Sequence, residues 1–205
     1  MRPIQLITPS YSAAVANYLA ASQKPAGAIA LTLTTTLTLT PPRFVTITSD
    51  ADDTGTLFTV VGLGLDGVAQ TETIVGPNAA AATSTLVYAS VSSISVSIGT
   101  TGNITAGFAQ SGLSDWIPLD IYTPNQVTTV SATLTGTANY SIQYTNEDPW
   151  DHTFQRTAVA HPTAALTGAT ASQTASSTTL MRALRYKINS GTGTLRLTIV
   201  QQSTA

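Results

Sequence analysis

The chain contains no cysteine and only two histidines among its 205 residues. Disulfide bridges, thiolate zinc sites and cysteine nucleophiles are therefore excluded. His152 and His161 do not have the HExxH spacing that brings two imidazoles to one zinc ion. We therefore expect both histidines to be polar residues of loops or of the surface, and we expect no metal site and no cofactor.

Charge is also scarce. Charged residues make up 9% of the chain, with a net charge of −2, whereas an average soluble domain has roughly 25%. There is no basic stripe of the kind that follows a phosphate backbone, so nucleic acid is not an expected partner. A surface with so few solubilising groups must cover its sheet edges or bind other proteins, which is a first indication of assembly.

Long apolar runs are missing as well. No run approaches the ~20 residues that a membrane-spanning helix needs, so a membrane is not an expected partner. The start of the chain also has no continuous apolar stretch of about 7–15 residues, which a secretory signal requires. We therefore expect synthesis in the cytoplasm of the producing cell.

What the sequence does contain is a strand pattern. In ALTLTTTLTLT (Ala30–Thr40) leucines and threonines alternate, and this period of two predicts a strand with one buried face. Pro41-Pro42 is predicted to end it, because proline cannot donate to the ladder. Further strands are predicted at Arg43–Ser49, Leu57–Leu65, Leu86–Ile98, Val127–Leu134, Asn139–Thr145, Leu180–Ile188 and Gly193–Val200.

Two local features within these strands carry further predictions. Asp66-Gly67 is a hairpin signal, because glycine accepts the positive φ of the turn. A two-residue loop and a three-residue loop with a bulge place Glu72 on opposite faces, and both remain open. The apolar phase switches between Val91 and Ile94, which predicts a β-bulge there. Residues 79–85 are predicted to be a connecting loop.

Many short strands with regular turns and almost no helix predict an all-β fold of two β-sandwich domains, Ig-like or jelly-roll-like. The break at Gln110–Leu113 divides the chain. We predict an extended N-terminal arm at residues 1–29, a first domain at 30–112 and a second at 113–205.

Two segments are candidates to reach beyond these domains. Ser12–Gln23 is predicted to be part of the arm, with a short helix as the alternative. Thr157–Thr179 is a long Ala, Ser and Thr segment and is predicted to be a docking arm or loop. The alternative is that a weakly marked strand lies within it.

The ionisable residues suggest surfaces more than chemistry. Arg182, Arg185, Lys187 and Arg196 alternate with apolar residues in the last two strands. They are predicted to share one exposed sheet face, either solvated or suited to an acidic protein neighbour.

The acidic residues form two groups. Those at Asp50, Asp52 and Asp53 are typical of turns, with calcium ligation as the alternative. Those flanking Trp150 resemble a glycosidase pair, but a capped loop with a packed Trp150 is the simpler interpretation. No nucleophile elbow, phosphate loop or dinucleotide motif is present, and an enzyme is not expected.

Two stretches nevertheless resemble a known class of proteins. RFVTITSDADDTGTLFTVVGLGLDGVAQTETIVGPN (Arg43–Asn78) combines a Val-Thr-Ile-Thr strand, an Asp-x-Thr-Gly turn, an Asp-Gly corner and a Gly-Pro-Asn stop. ANYSIQYTNEDPW (Ala138–Trp150) is similar to Tyr-Thr-x-Asp-Asp-Pro segments, with Glu147 in place of the first Asp. Both stretches resemble virion structural proteins of tailed bacteriophages, above all the head decoration, or cement, proteins.

The resemblance implies β-sandwich domains on the outside of the virion head that bridge neighbouring major capsid subunits. It implies no catalytic residue and no cofactor. The expected partners are the major capsid protein and, in a homo-oligomer, a second copy of this chain. The expected partner-contact residues are Tyr11, Tyr18, Trp150, Arg182, Arg185 and Lys187, whereas Tyr144 is expected to pack locally.

Two other functions remain open alongside decoration of the head. One is a tail or head–tail joining protein of the same kind of virion. The other, from a different class, is a carbohydrate-binding β-sandwich of a surface.

Overall fold

The structure is a computed structural model that describes residues 4–7, 11–34, 37–122, 126–151 and 156–203. These residues form antiparallel strands and one short 3-10 turn at Ala164–Leu166, which confirms the predicted all-β class. The strands are β1 (Ile4–Ile7), β2 (Val15–Gln23), β3 (Thr38–Ser49), β4 (Leu57–Leu63), β5 (Ala69–Val75), β6 (Ala81–Val96), β7 (Ile104–Phe108), β8 (Gly112–Leu113), β9 (Ile117–Pro118), β10 (Gln126–Thr135), β11 (Ala138–Thr145), β12 (Val159–Ala160), β13 (Gln173–Ser177), β14 (Ala183–Gly191) and β15 (Thr194–Ser203).

The chain forms two compact units. The amino-terminal unit comprises Ala13–Gly112, and the carboxy-terminal unit comprises Leu113–Ala205 together with Met1–Ser12. The predicted N-terminal arm is therefore wrong in its described part. β1 pairs with β15 in the carboxy-terminal unit, and β2 pairs with β7 in the amino-terminal unit. The short helix considered for Ser12–Gln23 is not formed. Val15–Gln23 is strand β2, and its residues Leu19 and Ala20 are buried in the core.

The amino-terminal unit is built from one six-stranded sheet with the order β2-β7-β3-β6-β4-β5. Its long strand β6 pairs with β3 through its first half and with β4 through its second half. Buried residues from all six strands form a single core. The predicted bulge is confirmed: Ser92 is the extra residue, since Val61 pairs with Ser93 and Gly62 with Val91.

Several boundaries in this unit differ from the sequence prediction. Of the strand predicted for Ala30–Thr40, only Thr38–Thr40 is strand, as the start of β3. β3 continues through Pro41-Pro42, and a register shift between Thr38 and Arg43 accommodates the two prolines. β6 begins at Ala81, so the loop predicted for residues 79–85 is wrong. Its first residues lack an apolar alternation and become a strand because their backbone pairs with the end of β3.

The hairpin between β4 and β5 settles the open position of Glu72. Gly64 N–H donates to the Val68 carbonyl (2.9 Å), and Gly67 has φ +73°, which is a three-residue loop with glycine in the left-handed region. Glu72 is consequently the cross-strand partner of the buried Val60, and the two side chains lie on the same face of the sheet. Its carboxylate accepts hydrogen bonds from Thr85 N–H (2.6 Å) and from the β6 backbone beyond it, so β5 is fastened to β6 through side chains.

The carboxy-terminal unit is a β-sandwich. One sheet has the order β1-β15-β10-β13, and the other has the order β12-β11-β14-β8, with β9 also paired to β14. Leucine, isoleucine, valine and tyrosine side chains from both sheets form one core. Thr135 pairs with Thr194 in one sheet and Ala138 with Gly191 in the other, so both connecting turns lie at one end. The opposite end, where β11 and β13 end and β14 begins, is called the distal end below.

The segment Thr157–Thr179 is not a docking arm. It contributes β12 and β13 to the two sheets of the sandwich, which is the alternative considered from the sequence. Leu166 is fully buried and Ala169 bridges to Tyr140, so the loop between these strands is also part of the core.

Candidate partner-contact surfaces

The two N-terminal tyrosines differ in their availability to a partner. Tyr11 is only 1% exposed and belongs to the core of the carboxy-terminal unit, so its ring is not on the surface. Tyr18 is half-buried on β2. Its ring packs edge-on against Phe108, with centroids 4.9 Å apart, and leaves part of its face exposed.

Trp150 lies in the loop that follows β11, at the distal end, and is 70% exposed. Its backbone N–H donates to the Asp148 carboxylate (3.0 Å), which closes an Asx-type turn. Three other exposed apolar side chains come from segments that meet the same end of the sandwich, and Tyr122, at 90% exposed, is the most open. We call this set the distal patch: Ile121, Tyr122, Trp150 and Leu180.

Arginines hold the loop that presents Trp150. The Arg156 guanidinium donates to the Asp148 carbonyl (2.9 Å) and to the Asp151 carbonyl (2.8 Å). Arg182 forms an ion pair with the Asp148 carboxylate (3.0 Å), and Thr157 N–H donates to Glu147 (2.6 Å). The carboxylates of Glu147 and Asp148 therefore each accept a contact from within the loop and its neighbouring strand.

The predicted single basic face is wrong, because the last two strands belong to different sheets. Arg185 and Lys187 lie on β14 in the five-stranded sheet, and Arg182 immediately precedes this strand. Arg196 lies on β15, on the outer face of the other sheet. A local strand–turn–strand pattern predicts a hairpin, but this connection joins the two layers of the sandwich.

Arg185 occupies a structured position on its sheet. Its guanidinium lies over the ring of the buried Trp116, 4.4 Å from the centroid, and its Nε donates to Gln143 Oε1 (2.9 Å). Burial, with the positive charge of Arg156, lowers the pKa of Arg185 to about 10, and Asp115 opposes this shift. Arg185 remains a cation at neutral pH, but it is a poorly solvated one.

The amino-terminal unit has an exposed apolar set of its own. Leu57 on β4 and Val75 on β5 are direct cross-strand partners, and both point outward. Ile98 follows Ser97, whose N–H donates to the Leu57 carbonyl (2.9 Å), and is also exposed. We call Leu57, Val75 and Ile98 the edge patch, because β5 is an edge strand of the sheet.

The acidic loop after β3 is joined to the loop after β6 by its carboxylates. The buried Asp53 accepts hydrogen bonds from the Ser49 hydroxyl and from the N–H groups of Thr101 (2.6 Å) and Gly102 (3.2 Å). Asp50 accepts two hydrogen bonds from Asn103, which lower its pKa. These carboxylates accept hydrogen bonds from the protein's own donors. Among the described residues, no group of three or more histidine, cysteine, aspartate or glutamate side chains is placed to hold a metal ion.

His161 lies in a loop, which is one of the two positions expected for it, but it is buried rather than on the surface. It is 3% exposed. Its backbone N–H donates to the Ile142 carbonyl (3.0 Å), and its imidazole Nδ1 accepts from the backbone N–H of Thr163 (3.1 Å). Burial lowers the pKa of the imidazole, and its Nε2 has no hydrogen-bond partner among the residues described. His152 lies outside the described residues.

Sequence reasoning missed most of the two patches. Leu57 precedes the buried Phe58, and Val75 follows the buried Ile74. In a strand, two adjacent apolar residues must point to opposite faces, so each doublet is a signal that one of them is exposed. Tyr122 and Leu180 carry no such signal, because both lie in connections outside the strands.

Comparison with protein-family models, with curated proteins and with solved structures found no match. Within the part of the chain that the structure describes, no helix is long and apolar enough to cross a membrane.

Proposed function

We propose that this chain is a structural protein of a tailed-phage virion that decorates the outside of the head and bridges major capsid subunits. The observation that carries the proposal is the presence of one exposed apolar patch on each of the two units. The edge patch lies on the amino-terminal unit and the distal patch on the carboxy-terminal unit. A bridging protein needs two such surfaces, one for each neighbour.

Part of each patch lies on a backbone held by several contacts. Leu57 and Val75 belong to paired strands, and hydrogen bonds and an ion pair hold the Trp150 loop. Because little chain entropy remains to be lost there, more of the contact energy is available for binding. Exposed aromatic residues such as Tyr122 and Trp150 are typical anchors of protein interfaces.

The mechanism is passive. A protein that contacts two capsid subunits in an expanded shell binds only when both are correctly placed, and its binding energy therefore stabilises that state. The two contacts act as one bivalent attachment, so the whole protein binds more tightly than either unit does. No covalent chemistry is involved.

Binding to capsids tests the proposal. Purified full-length chain is mixed with expanded, DNA-free heads of the phage that encodes it, and free and bound chain are separated by sedimentation. We expect saturable binding at a fixed ratio to the capsid protein and delayed thermal disruption of the heads. Binding only to tails or to the head–tail joint, at about a dozen copies or fewer, would instead support a joining protein. No binding to any virion part would refute both.

A carbohydrate-binding role is favoured by the exposed ring of Trp150, because sugar faces stack on such rings. Sugar recognition also needs free polar groups beside the ring, whereas the carboxylates of Glu147 and Asp148 are engaged within the loop. A glycan array probed with the full chain separates the two proposals. Glycan binding that a Trp150→Ala variant loses would replace the decoration proposal.

A further inference from the structure

We propose that Arg185, stacked on Trp116 and flanked by Lys187, is a docking site for a carboxylate side chain on the surface of the partner protein. This inference rests on the proposed function and deepens it, because it gives the chemistry of the capsid surface that the carboxy-terminal unit contacts. The occupant is an acidic segment of a folded protein.

The first argument is the geometry of the guanidinium. Trp116 supports one face of Arg185, and Gln143 binds its Nε, so the side chain is held in a single arrangement. Its two terminal nitrogens make no hydrogen bond or ion pair with the described residues. Neither of them is among the fully buried polar atoms without a partner, so neither is completely closed off from the surface. This leaves a preorganised fork, which matches the two oxygens of a carboxylate.

The second argument is the local charge. Lys187 lies on the same outward face of β14, two residues along, and the charge of Arg156 also acts on Arg185. Asp115 is a carboxylate whose charge acts on Arg185, but among the described residues no ion pair joins the two. A bound anion offsets the repulsion between the guanidiniums of Arg156 and Arg185. It also compensates Arg185 for the hydration that this side chain loses through burial. A well-ordered cation of this kind gains more from a partner than a fully hydrated one does.

The third argument separates carboxylates from phosphates. Polyanions such as nucleic acids bind through many cations along a track, and their binding opposes a net charge of −2. Here the cations of the site are few and share their sheet with uncharged side chains, including Gln143 and Ser141 opposite Arg185 and Lys187. A single carboxylate with polar neighbours fits this arrangement.

The first experiment isolates the site from any capsid. A hexaglutamate peptide is titrated into the isotope-labelled full-length chain, while NMR follows the Nε–H signal of Arg185 and the indole N–H signal of Trp116. We expect both signals to shift saturably and the affinity to fall as salt is raised. Arg185→Gln should weaken binding about tenfold. Arg196→Gln is the matched control, because it removes the same charge from the other sheet and should change binding by less than about twofold.

The results decide for or against the site. Equal weakening by Arg185→Gln and Arg196→Gln would mean unspecific attraction and would overturn the inference. A shift of the Arg185 signal with inorganic phosphate but not with hexaglutamate would overturn the choice of a carboxylate. Arg185→Lys keeps the charge without the fork and should bind with intermediate affinity, so an unchanged affinity would contradict the role of the fork even if Arg185→Gln folds poorly.

The second experiment keeps the two proposals distinguishable. Binding to expanded heads is measured for the unaltered chain and for both variants. If the unaltered chain binds and Arg185→Gln binds equally well, the carboxylate site is refuted and the decoration function stands. If the unaltered chain does not bind heads but the peptide shifts persist, the function is refuted and the site remains as a carboxylate site for another protein partner.

Discussion

At the scale of single residues, many polar side chains of this protein bind its own backbone. Asp53 accepts hydrogen bonds from two N–H groups of the loop after β6, Glu72 accepts from two N–H groups of β6, and Arg43 donates to the carbonyls of Ala109 and Gln110. A buried N–H or C=O without a partner is costly, so these side chains complete the fold where strands end.

Asp53 gives the sharpest test of this role. Asp53→Ala removes a buried acceptor of the Ser49 hydroxyl and of the N–H groups of Thr101 and the buried Gly102. We expect it to lower the free energy of unfolding by about 2–4 kcal/mol. Urea denaturation followed by circular dichroism measures the change. Asp52→Asn is the control, because Asp52 is exposed and caps only its own turn. Equal stability of Asp53→Ala and the unaltered chain would contradict the role of the carboxylate.

His161 predicts how stability changes with pH. Burial holds its pKa below the ordinary value of 6.5, so the unfolded chain binds a proton more readily than the folded one. The free energy of unfolding is therefore fully kept above about pH 7 and falls as the pH drops through 6.5. We expect denaturation midpoints to decrease between about pH 7.5 and 5.5.

Substitution identifies the histidine responsible. His161→Gln should flatten the slope in this pH window, because the group that takes up the proton is gone. A slope that persists in His161→Gln would assign it to another group and refute the prediction.

At the scale of elements, the sequence predicted the alternation of side chains along strands but not which strands pair. The strand predicted for Ala30–Thr40 is wrong over Leu31–Thr34, which lie outside the named strands, and only Thr38–Thr40 belong to β3. The predicted burial still holds at four positions, since Leu31 and Leu39 are buried and Thr32 and Thr38 are exposed. Short strands such as β12 and β13 carry too few apolar residues to be marked, and they form because neighbouring strands offer free hydrogen-bonding edges.

The attachment of β2 to the amino-terminal sheet depends on one glycine. A Cβ at Gly107 would collide with the backbone of Val15 and Ala16, so only glycine allows β7 and β2 to approach. We expect Gly107→Ala to lower the free energy of unfolding by about 1–3 kcal/mol. Hydrogen exchange should show the loss of protection first in β2. Gly55→Ala is the control, because no atom lies near its added methyl group.

At the scale of the whole molecule, the proposed function depends on two patches acting together. Leu57→Ser with Val75→Ser removes the edge patch, and Tyr122→Ser with Trp150→Ser removes most of the distal patch. Each double variant should weaken binding to expanded heads about a hundredfold, because one contact of a bivalent attachment is lost, and their combination should abolish it.

The control for this prediction is an exposed apolar residue outside both patches. Val200 lies on the outer face of β15, and Val200→Ser should bind heads as the unaltered chain does. Circular dichroism should show every variant folded, since the altered side chains are exposed. Binding that survives the loss of either patch would show that the protein attaches through one unit only.

The sequence by itself determined the all-β class, the face of most strands and the bulge at Ser92. These follow from local rules, because the alternation of side chains in a strand depends only on neighbouring residues. The candidate site was accessible in part: Trp150, Arg185 and Lys187 were identified, but their surroundings were not.

Only the tertiary structure decided which strands meet. β1 pairs with β15 at the other end of the chain, and the short connection at Thr192 and Gly193 joins two sheets instead of closing a hairpin. That choice separates Arg196 from Arg185 and places Trp116 beneath the guanidinium. Strand pairing depends on the burial of apolar faces from distant parts of the chain, and a local sequence pattern does not identify the strand with which it pairs.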